Sequence, residues 1–313
     1  MPPGGSDAWE GAINVGRGGG QFWEQWHLPH HAADGILLNL GNVAPLRTRR
    51  QIVVIHDAGV FGAPEAYSWK FRIWYKTLQK ILVMQGVPVV TVSEFSRIEL
   101  LRHLRAAPEQ VQVIPEGADH INGIVANEAI LAKHGLKPGY FVLAVGNLAA
   151  HKNLPALDVL AERLVPRGAV LVVVGNLGGK VFRSGGAPDM PQAARYIGRV
   201  TDEELKALYQ AAACFVFPSR YEGFGLPAVE AMASRCPVVA ADIAALREAC
   251  GKAAVYCDPT SPVHIADSAL EVYDDPILQE RMCLAGLEQT RDMTWDRAAG
   301  ALLNIITKKF EMA

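Results

Sequence analysis

The sequence predicts an α/β protein with two domains, and two observations carry that prediction. The chain has 313 residues, which is long enough for two hydrophobic cores. Its second half alternates short β-rich runs with helical segments, beginning with the strand-like run at 140–145, and this alternation is typical of a parallel sheet wrapped by helices. The first half has strand-like runs at 36–40, 51–55, 87–92 and 110–114, so we expect another sheet there.

The composition is that of a near-neutral globular protein. Half of the residues are apolar and the formal net charge is −2, so the strong basic excess of a nucleic-acid binder is absent. No apolar run reaches the roughly 18–20 residues that span a bilayer, and the N-terminus lacks the apolar core of a signal peptide. The five cysteines have no CxxC spacing, so we expect reduced core residues. We therefore expect a cytoplasmic protein, at most peripheral at the inner face of a membrane.

One stretch, residues 214–234, predicts an anion-binding loop. A strand-like run at 214–217 leads into a loop with Gly223 and Gly225, and Pro227 stands where a helix would begin. A glycine-bearing loop that enters a helix directs free backbone N–H groups at one point, with the positive end of the helix dipole behind them. Phosphate suits such a site.

Two carboxylates flank this loop, Glu222 before it and Glu230 inside the helix. Both would repel a phosphate at contact distance, so we interpret them as acceptors of hydrogen bonds from hydroxyl groups beside it. An anion cradle between two hydroxyl acceptors fits a sugar–diphosphate–ribose ligand. The simpler alternative is a solvated loop with two surface glutamates.

Two further loops place polar residues after predicted strands. His56 and Asp57 follow the run at 51–55, at the carboxyl end where parallel sheets bind ligands. Lys152 lies in the loop after 140–145, just before a predicted helix, where an ammonium would pair with a bound phosphate. The alternatives are a capping pair at 56–57 and an exposed lysine at a helix start.

Three histidines, His27, His30 and His31, cluster near Trp23 and Trp26. Metal ligation would require a further Cys, Asp or Glu to complete the ligand set. No Cys, Asp or Glu completes such a set here, so we interpret these residues as surface histidines and predict no metal site.

Residues 67–84 are predicted to form an amphipathic helix. Tyr67, Phe71, Trp74, Leu78 and Ile81 are expected to share one face, and the basic residues the other. Aromatic side chains beside basic ones suit a membrane interface, where a lipid-linked acceptor could be met. The alternative is a core-facing helix whose basic face is merely solvated. We favour this alternative, because three charges are too few to anchor a protein on a membrane.

The run at 218–233 resembles the signature of retaining glycosyltransferases of family 4, in which seven residues separate two glutamates, here Glu222 and Glu230. The runs at 53–57, 91–96, 114–119 and 146–153 are also similar to segments of that family. The resemblance implies two facing Rossmann-like domains, the GT-B fold.

The resemblance also implies a domain division, which we state as an expectation. Residues 1–21 would be disordered or linker, 22–120 an acceptor-side domain, 121–138 a linker, 139–292 a donor-binding domain, and 293–313 a helix crossing back to the first domain.

Site residues follow from the matched motifs. The resemblance implies Glu222 and His56 as catalytic residues and Asp57 on the acceptor side. It implies donor-binding roles for nine residues: Gly146, Asn147, Lys152, Val200, Gly223, Phe224, Gly225, Leu226 and Glu230.

The implied reaction moves a hexose, with mannose favoured, from GDP-mannose or a UDP-sugar to a glycan or lipid-linked acceptor in polysaccharide assembly. Lysine and backbone amides would neutralise the diphosphate, and no DxD-like acidic pair stands out. We therefore expect no metal and no cofactor, with the nucleotide sugar as a substrate.

Three departures from the family pattern stand out. The usual first strand and glycine loop lie upstream of anything here, so we expect the first domain to be incomplete, with an exposed sheet edge. Asn147 replaces the basic residue that commonly follows the glycine at Gly146. Arg235 replaces a helix-ending glycine, where a left-handed backbone would cost about 1 kcal/mol.

Two other interpretations remain open at this stage. A non-catalytic nucleotide-sugar-binding remnant would keep the second domain but lack a complete cleft. A sugar-nucleotide epimerase on the same architecture is less favoured, because such enzymes are not the source of the two-glutamate signature.

Overall fold

A computed structural model describes residues 13, 15–32, 35–175 and 191–310. Within these residues the strands are β1 (Leu37–Asn39), β2 (Gln51–Val54), β3 (Val89–Thr91), β4 (Val111–Val113), β5 (Phe141–Val145), β6 (Val170–Val174), β7 (Arg195–Gly198), β8 (Cys214–Phe217), β9 (Val238–Ala241) and β10 (Ala254–Cys257). They form two parallel sheets, one in each half of the chain.

The helices of the described residues surround these sheets. They are α1 (Gly20–Phe22), α2 (Leu28–His31), α3 (Gly59–Gly62), α4 (Trp69–Met84), α5 (Glu94–Leu104), α6 (Ala129–Lys133), α7 (Asp158–Leu164), α8 (Asp202–Ala211), α9 (Leu226–Ala233), α10 (Ala244–Cys250), α11 (Pro262–Asp274), α12 (Pro276–Thr290) and α13 (Trp295–Phe310). A π-helical turn, Trp23–His27, joins α1 to α2.

The first sheet has the strand order β1-β2-β3-β4. Strands β2 and β3 are buried along their whole length, as expected for a parallel sheet covered on both faces. One face packs against α4 and α5 through Leu78, Leu82 and Leu100. Ile305 of α13 packs on the other face against Ile52, so the last described helix covers the first sheet.

The second sheet has the order β10-β9-β8-β5-β6-β7. Strands β5 and β8 are neighbours although they are distant in sequence, and the sheet grows outward from them in both directions. Phe215 and Phe217 of β8 enter the core on one face, and Val216 enters the core on the other. Parallel sheets bind ligands beyond the carboxyl ends of the strands at such a switch point, so the loops after β5 and β8 are the place to look for a site.

The segment 121–138, predicted as a linker, contains α6 and contributes to the second domain's core. Ile121, Ile130 and Leu136 are buried in the same cluster as Phe215. Trp295 begins α13 beside this segment, and its backbone N–H donates to Asp119 Oδ1 at 2.8 Å. The two places where the chain passes between the sheets therefore lie against each other.

Helix α4 corrects one expectation about faces. The helix is present, with Ser68 Oγ capping the N–H of Phe71. However, Trp74 is exposed, and the buried face is formed by Leu78, Gln79, Leu82 and Val83. Of the predicted face only Leu78 is buried, because packing against the first sheet selects the stripe that contains Leu78, Leu82 and Val83.

Side-chain caps begin two of these helices. Thr201 and Glu204 form a capping box at the start of α8, and Ser93 Oγ accepts from the N–H of Ser96 at the start of α5. All five cysteines are free, and four of them are buried. Most of the predicted linker at 1–21 lies outside the described residues.

No helix within the described residues is both long enough and apolar enough to cross a membrane.

Candidate functional site

The loop between β8 and α9 has the geometry of an anion cradle. Gly225 precedes α9 with φ +106°, a left-handed conformation that favours glycine. Pro227 lies in the first turn of the helix. In the part of the chain that the structure describes, no group accepts a hydrogen bond from the N–H of Phe224, Gly225 or Leu226. These amides are therefore available to an anionic ligand at the helix N-terminus.

Lys152 reaches the same loop from the neighbouring strand. Its Nζ lies 2.7 Å from Glu222 Oε1, and both side chains are largely buried, with exposed fractions of 18% and 11%. The ammonium also lies 5.4 Å from the ring centroid of Phe217. The switch point between β5 and β8 therefore holds a desolvated cation and carboxylate in direct contact, and such a pair is costly to break.

Lys152 corrects a second expectation, since it does not stand at the start of an α-helix. It ends a 3-10 turn, Ala150–Lys152, and α7 begins only at Asp158 after a left-handed Asn153 and a further 3-10 turn. The dipole beside the ammonium must come from α9 instead.

Three other predicted donor residues line loops at this edge of the second sheet. Gly146 lies against the aliphatic stem of Lys152, since an added Cβ would be 3.6 Å from Lys152 Cγ. Asn147 Oδ1 accepts from the N–H of Ala149 at 3.1 Å and so closes its own loop. Val200 follows β7 and packs, half-buried, on the core.

Glu230, one turn into α9, is held by two side chains. His120 Nε2 lies 3.0 Å from Glu230 Oε1, and Tyr209 Oη lies 3.4 Å from Oε2. Burial raises the pKa of Glu230, and the hydrogen bond from His120 partly offsets that rise. The carboxylate keeps lone pairs for hydroxyl donors, because each oxygen can accept two hydrogen bonds.

His56, which follows β2 in the first domain, has both ring nitrogens engaged by the protein. Nδ1 lies 3.1 Å from Glu116 Oε1, and Nε2 lies 2.9 Å from the carbonyl of Leu40. The hydrogen bond to Glu116 raises the pKa of His56. Both nitrogens therefore face protein oxygens, and neither is free for a sugar hydroxyl.

Asp57 lies where the two domains touch. The N–H of Gly59 donates to Asp57 Oδ1 at 2.6 Å, and burial raises the pKa of this carboxyl group. Gly223 of the second domain lies so close that a Cβ there would be 2.9 Å from Asp57 Cβ and 2.6 Å from the carbonyl oxygen of His56. Asp57 and the loop after β8 are therefore in contact.

Helix α5 contributes further contacts between the domains. Ser93 Oγ and Ser96 Oγ donate to the carbonyl of Gly223 at 2.5 and 3.1 Å. The carboxylate of Glu248, on α10, accepts from the N–H groups of Glu94 and Phe95 at 2.7 and 3.1 Å. The structure thus shows the two domains closed on each other at the loop after β8.

Sequence reasoning missed Glu116, His120 and Tyr209 as partners of site residues. Glu116 lies in the run at 114–119 and His120 directly after it, in a turn from which the resemblance supplied no site residue. Tyr209 lies on α8, outside the motifs at 53–57, 91–96, 114–119, 146–153 and 218–233. No sequence pattern could have found them. Each contacts its partner, His56 or Glu230, only in the folded protein, because the two residues belong to different elements.

Among the described residues, no group of three or more His, Cys, Asp or Glu side chains is arranged to hold a metal ion.

Two facing parallel α/β sheets with ligand-binding loops between them define the class of GT-B glycosyltransferases, and the chain has this fold. The structure of Alr3699/HepE from Anabaena in complex with UDP and glucose is similar to it, with a TM-score of 0.68 and 17% identity, over 82% of this chain and 71% of that one. The sequence profile of the family described as "Glycosyl transferases group 1" matches residues 126–288. The chain belongs to this family.

Two curated relatives support the family assignment. The chain is 31% identical to O-antigen chain mannosyltransferase B of Escherichia coli over 83% of its length, and spans 71% of that protein. It is 29% identical to O-antigen chain mannosyltransferase RfbU of Salmonella typhimurium over 67% of its length, and spans 57% of that protein.

Proposed function

We propose that the chain is a retaining glycosyltransferase of family 4 that uses no metal. It would transfer a hexose, mannose in the first instance, from a nucleoside diphosphate sugar to a glycan or lipid-linked acceptor. The observation that carries the proposal is the contact between Lys152 and Glu222 at the switch point of the second sheet, facing the first domain. Two O-antigen mannosyltransferases among the relatives support mannose as the sugar and a surface polysaccharide as the acceptor.

The Lys152–Glu222 pair suggests how a donor enters. The arriving diphosphate would take the ammonium of Lys152 and the free amides of Phe224, Gly225 and Leu226. Glu222 would then lose its cationic partner and accept hydrogen bonds from hydroxyl groups of the sugar. Before the donor binds, the Lys152 ammonium and the Glu222 carboxylate would thus pair with each other, so that neither buried charge is left unpaired.

In the transfer step, the bond between C1 of the sugar and the diphosphate oxygen breaks, and its electron pair goes to the diphosphate. The acceptor oxygen bonds to C1 and its proton passes to the departing diphosphate. Lys152 and the amides before α9 would stabilise the charge that grows on the leaving group, which we take as the main catalytic contribution. Glu230 would accept from the ribose, and His56 would contribute its positive charge from the other domain.

The experiment combines binding and turnover. GDP, UDP, dTDP and ADP are titrated by calorimetry, and consumption of the corresponding sugar donors is then followed. Lys152→Ala should weaken binding roughly 10- to 100-fold, the value of one hydrogen bond to a charged group. Glu222→Ala should abolish turnover while binding persists. The exposed Lys137→Ala is the control and should change neither.

Binding that depends on Lys152 without turnover of any donor would favour the alternative, a non-catalytic nucleotide-sugar-binding protein. Failure of every nucleotide to bind would reject both.

We also propose peripheral contact with a membrane through the outer face of α4. Trp69 and Ile73 are 64% and 58% exposed there, and the helix carries four cations and no acid: Lys70, Arg72, Lys76 and Lys80. Such a surface suits anionic lipid. Co-sedimentation with phosphatidylglycerol vesicles, weakened in Trp69→Ser, is expected. Equal pelleting with and without vesicles would identify the face as merely solvated.

A further inference from the structure

A chain of hydrogen bonds ends on Glu230, the residue proposed above to accept from the ribose. Trp295 Nε1 donates to His120 Nδ1 at 3.1 Å, and His120 Nε2 lies 3.0 Å from Glu230 Oε1. Tyr209 Oη contacts the other carboxylate oxygen at 3.4 Å. Glu230 and His120 are exposed by only 14% and 37%, so the contact between them is partly shielded from water.

The partners determine which nitrogen of His120 carries the proton. The indole N–H of Trp295 can only donate, so Nδ1 must accept. In a neutral imidazole the other nitrogen then carries hydrogen, and Nε2–H donates to Glu230. His120 is therefore held in one tautomer and faces the carboxylate as a donor.

The position of His120 is fixed by the two passages of the chain between the sheets. His120 lies in the 3-10 turn Asp119–Ile121, which follows the first sheet, and Trp295 opens the helix that returns to it. The N–H of Ala118 donates to the carbonyl of Met293 at 2.9 Å. Gly117 admits no side chain, since a Cβ would lie 2.5 Å from the backbone nitrogen of Trp295.

A carboxylate accepts about four hydrogen bonds, and His120 and Tyr209 supply two of them to Glu230. His120 fills one position on Oε1 and so limits rotation of the group, leaving the remaining lone pairs pointing in fixed directions. A pair of adjacent hydroxyls, as on a ribose, can use two such lone pairs at once.

We propose that His120, held in one tautomer by Trp295, is a positioning residue that aims the Glu230 carboxylate at the ribose hydroxyls of the donor nucleotide. This inference rests on the proposed function of the site. His120 itself need not contact the ligand, so its loss should affect recognition of the hydroxyls and leave recognition of the diphosphate intact.

The experiment measures a ratio of affinities. GDP and UDP are each titrated by calorimetry beside their 2′,3′-dideoxy counterparts. The wild type should prefer the ribose form by roughly tenfold or more, the value of hydrogen bonds to a charged acceptor. His120→Ala should reduce that preference to below about threefold, while affinity for the dideoxy form changes by less than about twofold.

Three further variants separate positioning from folding. His120→Gln keeps an N–H donor and should retain more of the ribose preference than His120→Ala. Trp295→Phe keeps an aromatic ring but frees Nδ1, so the preference should fall part of the way and the ¹⁵N signals of His120 should shift from the Nε2–H tautomer. His103→Ala removes a comparable His–Glu pair, 3.4 Å apart on α5, and should leave the preference unchanged.

The outcomes distinguish the two proposals. An unchanged ribose preference in both His120→Ala and Trp295→Phe would overturn the role of His120 and leave the proposed function standing. If His120→Ala fails to fold, Trp295→Phe and the ¹⁵N spectrum of the wild type decide, and a signal of the Nδ1–H tautomer overturns the inference. If the wild type binds neither GDP nor UDP, the proposed function and this inference fall together.

Discussion

At the scale of single residues, His56 shows how neighbours fix a charge state. Its two ring nitrogens face only acceptors, the Glu116 carboxylate and the Leu40 carbonyl. Both contacts are hydrogen bonds only if both nitrogens carry hydrogen, which requires the imidazolium form. The raised pKa of His56 has the same cause, with the hydrogen bond to Glu116 as its largest contribution.

The sign of the pH dependence follows from that direction. Because the pKa of His56 is higher in the folded protein than the ordinary value of about 6.5, the imidazolium contributes stability below that pH, and the contribution is lost as pH rises through the folded pKa. In Glu116→Gln the pKa of His56 should fall, and the variant should lose more stability at pH 6 than at pH 9. NMR titration of the imidazole and urea unfolding at both pH values measure this.

Glu99→Gln is the control, because Glu99 contacts His103 on α5 and not His56. A His56 pKa that is the same in Glu116→Gln and the wild type would show that another group sets its charge.

At the scale of elements, two helices end on arginines in the left-handed region. Arg105 follows α5 with φ +55°, and Arg235 follows α9 with φ +63°. The departure from glycine at Arg235 therefore falls where the backbone needs positive φ, as expected from the sequence. Its contact with Glu280, 3.5 Å long between two side chains that are more than half exposed, adds little stability.

Arg235→Gly should stabilise the protein by no more than about 1.5 kcal/mol. The relieved left-handed strain is worth about 1–2 kcal/mol, and the greater freedom of glycine in the unfolded chain offsets about 0.5–1 kcal/mol of it. Urea unfolding measures the difference. Arg105→Gly should behave alike, whereas Arg281→Gly inside α12 should cost about 1 kcal/mol. A loss of stability in Arg235→Gly equal to that of Arg281→Gly would contradict this account.

The elements themselves were predictable because their signals are local. Apolar β-rich runs marked the strands, and Pro227 marked a helix start because its fixed φ suits the first turn. The buried face of α4 was not predictable in the same way. It depends on the first sheet and on the loop carbonyl of Asn42, which accepts from the buried amide of Gln79 at 3.2 Å.

The candidate site likewise contains residues that the sequence predicted and residues that it did not. Glu222 and Glu230 were found because their spacing lies within one loop and one helix. Glu116 and His120 were missed because they lie 60 and 110 residues along the chain from the side chains that they contact, His56 and Glu230. The sequence also held no sign that Lys152 and Glu222 would pair directly with each other.

At the scale of the whole molecule, the two domains meet through a glycine. The carbonyl of Gly223 accepts from Ser93 and Ser96 of the first domain, and its Cα lies against the backbone at His56. The loop after β8 and the turn at His56 and Asp57 therefore come together only if position 223 carries no side chain. Closure of this kind brings groups from both domains to one substrate.

Gly223→Ala should separate binding from turnover. A Cβ would lie 2.6 Å from the carbonyl oxygen of His56, which is backbone and cannot turn aside, so the domains must move apart. The nucleotide contacts proposed for Lys152 and the amides before α9 lie in the second domain alone, and affinity should stay within roughly threefold of the wild type. Turnover needs both domains, and misplacement by about 1 Å can cost on the order of a hundredfold.

Calorimetry, donor consumption and the radius of gyration from small-angle scattering measure the three effects. Gly300→Ala on α13, where an added Cβ meets nothing within 4 Å, is the control. Full turnover in Gly223→Ala would mean that the contact between the domains seen at Gly223 is not the arrangement in which transfer occurs.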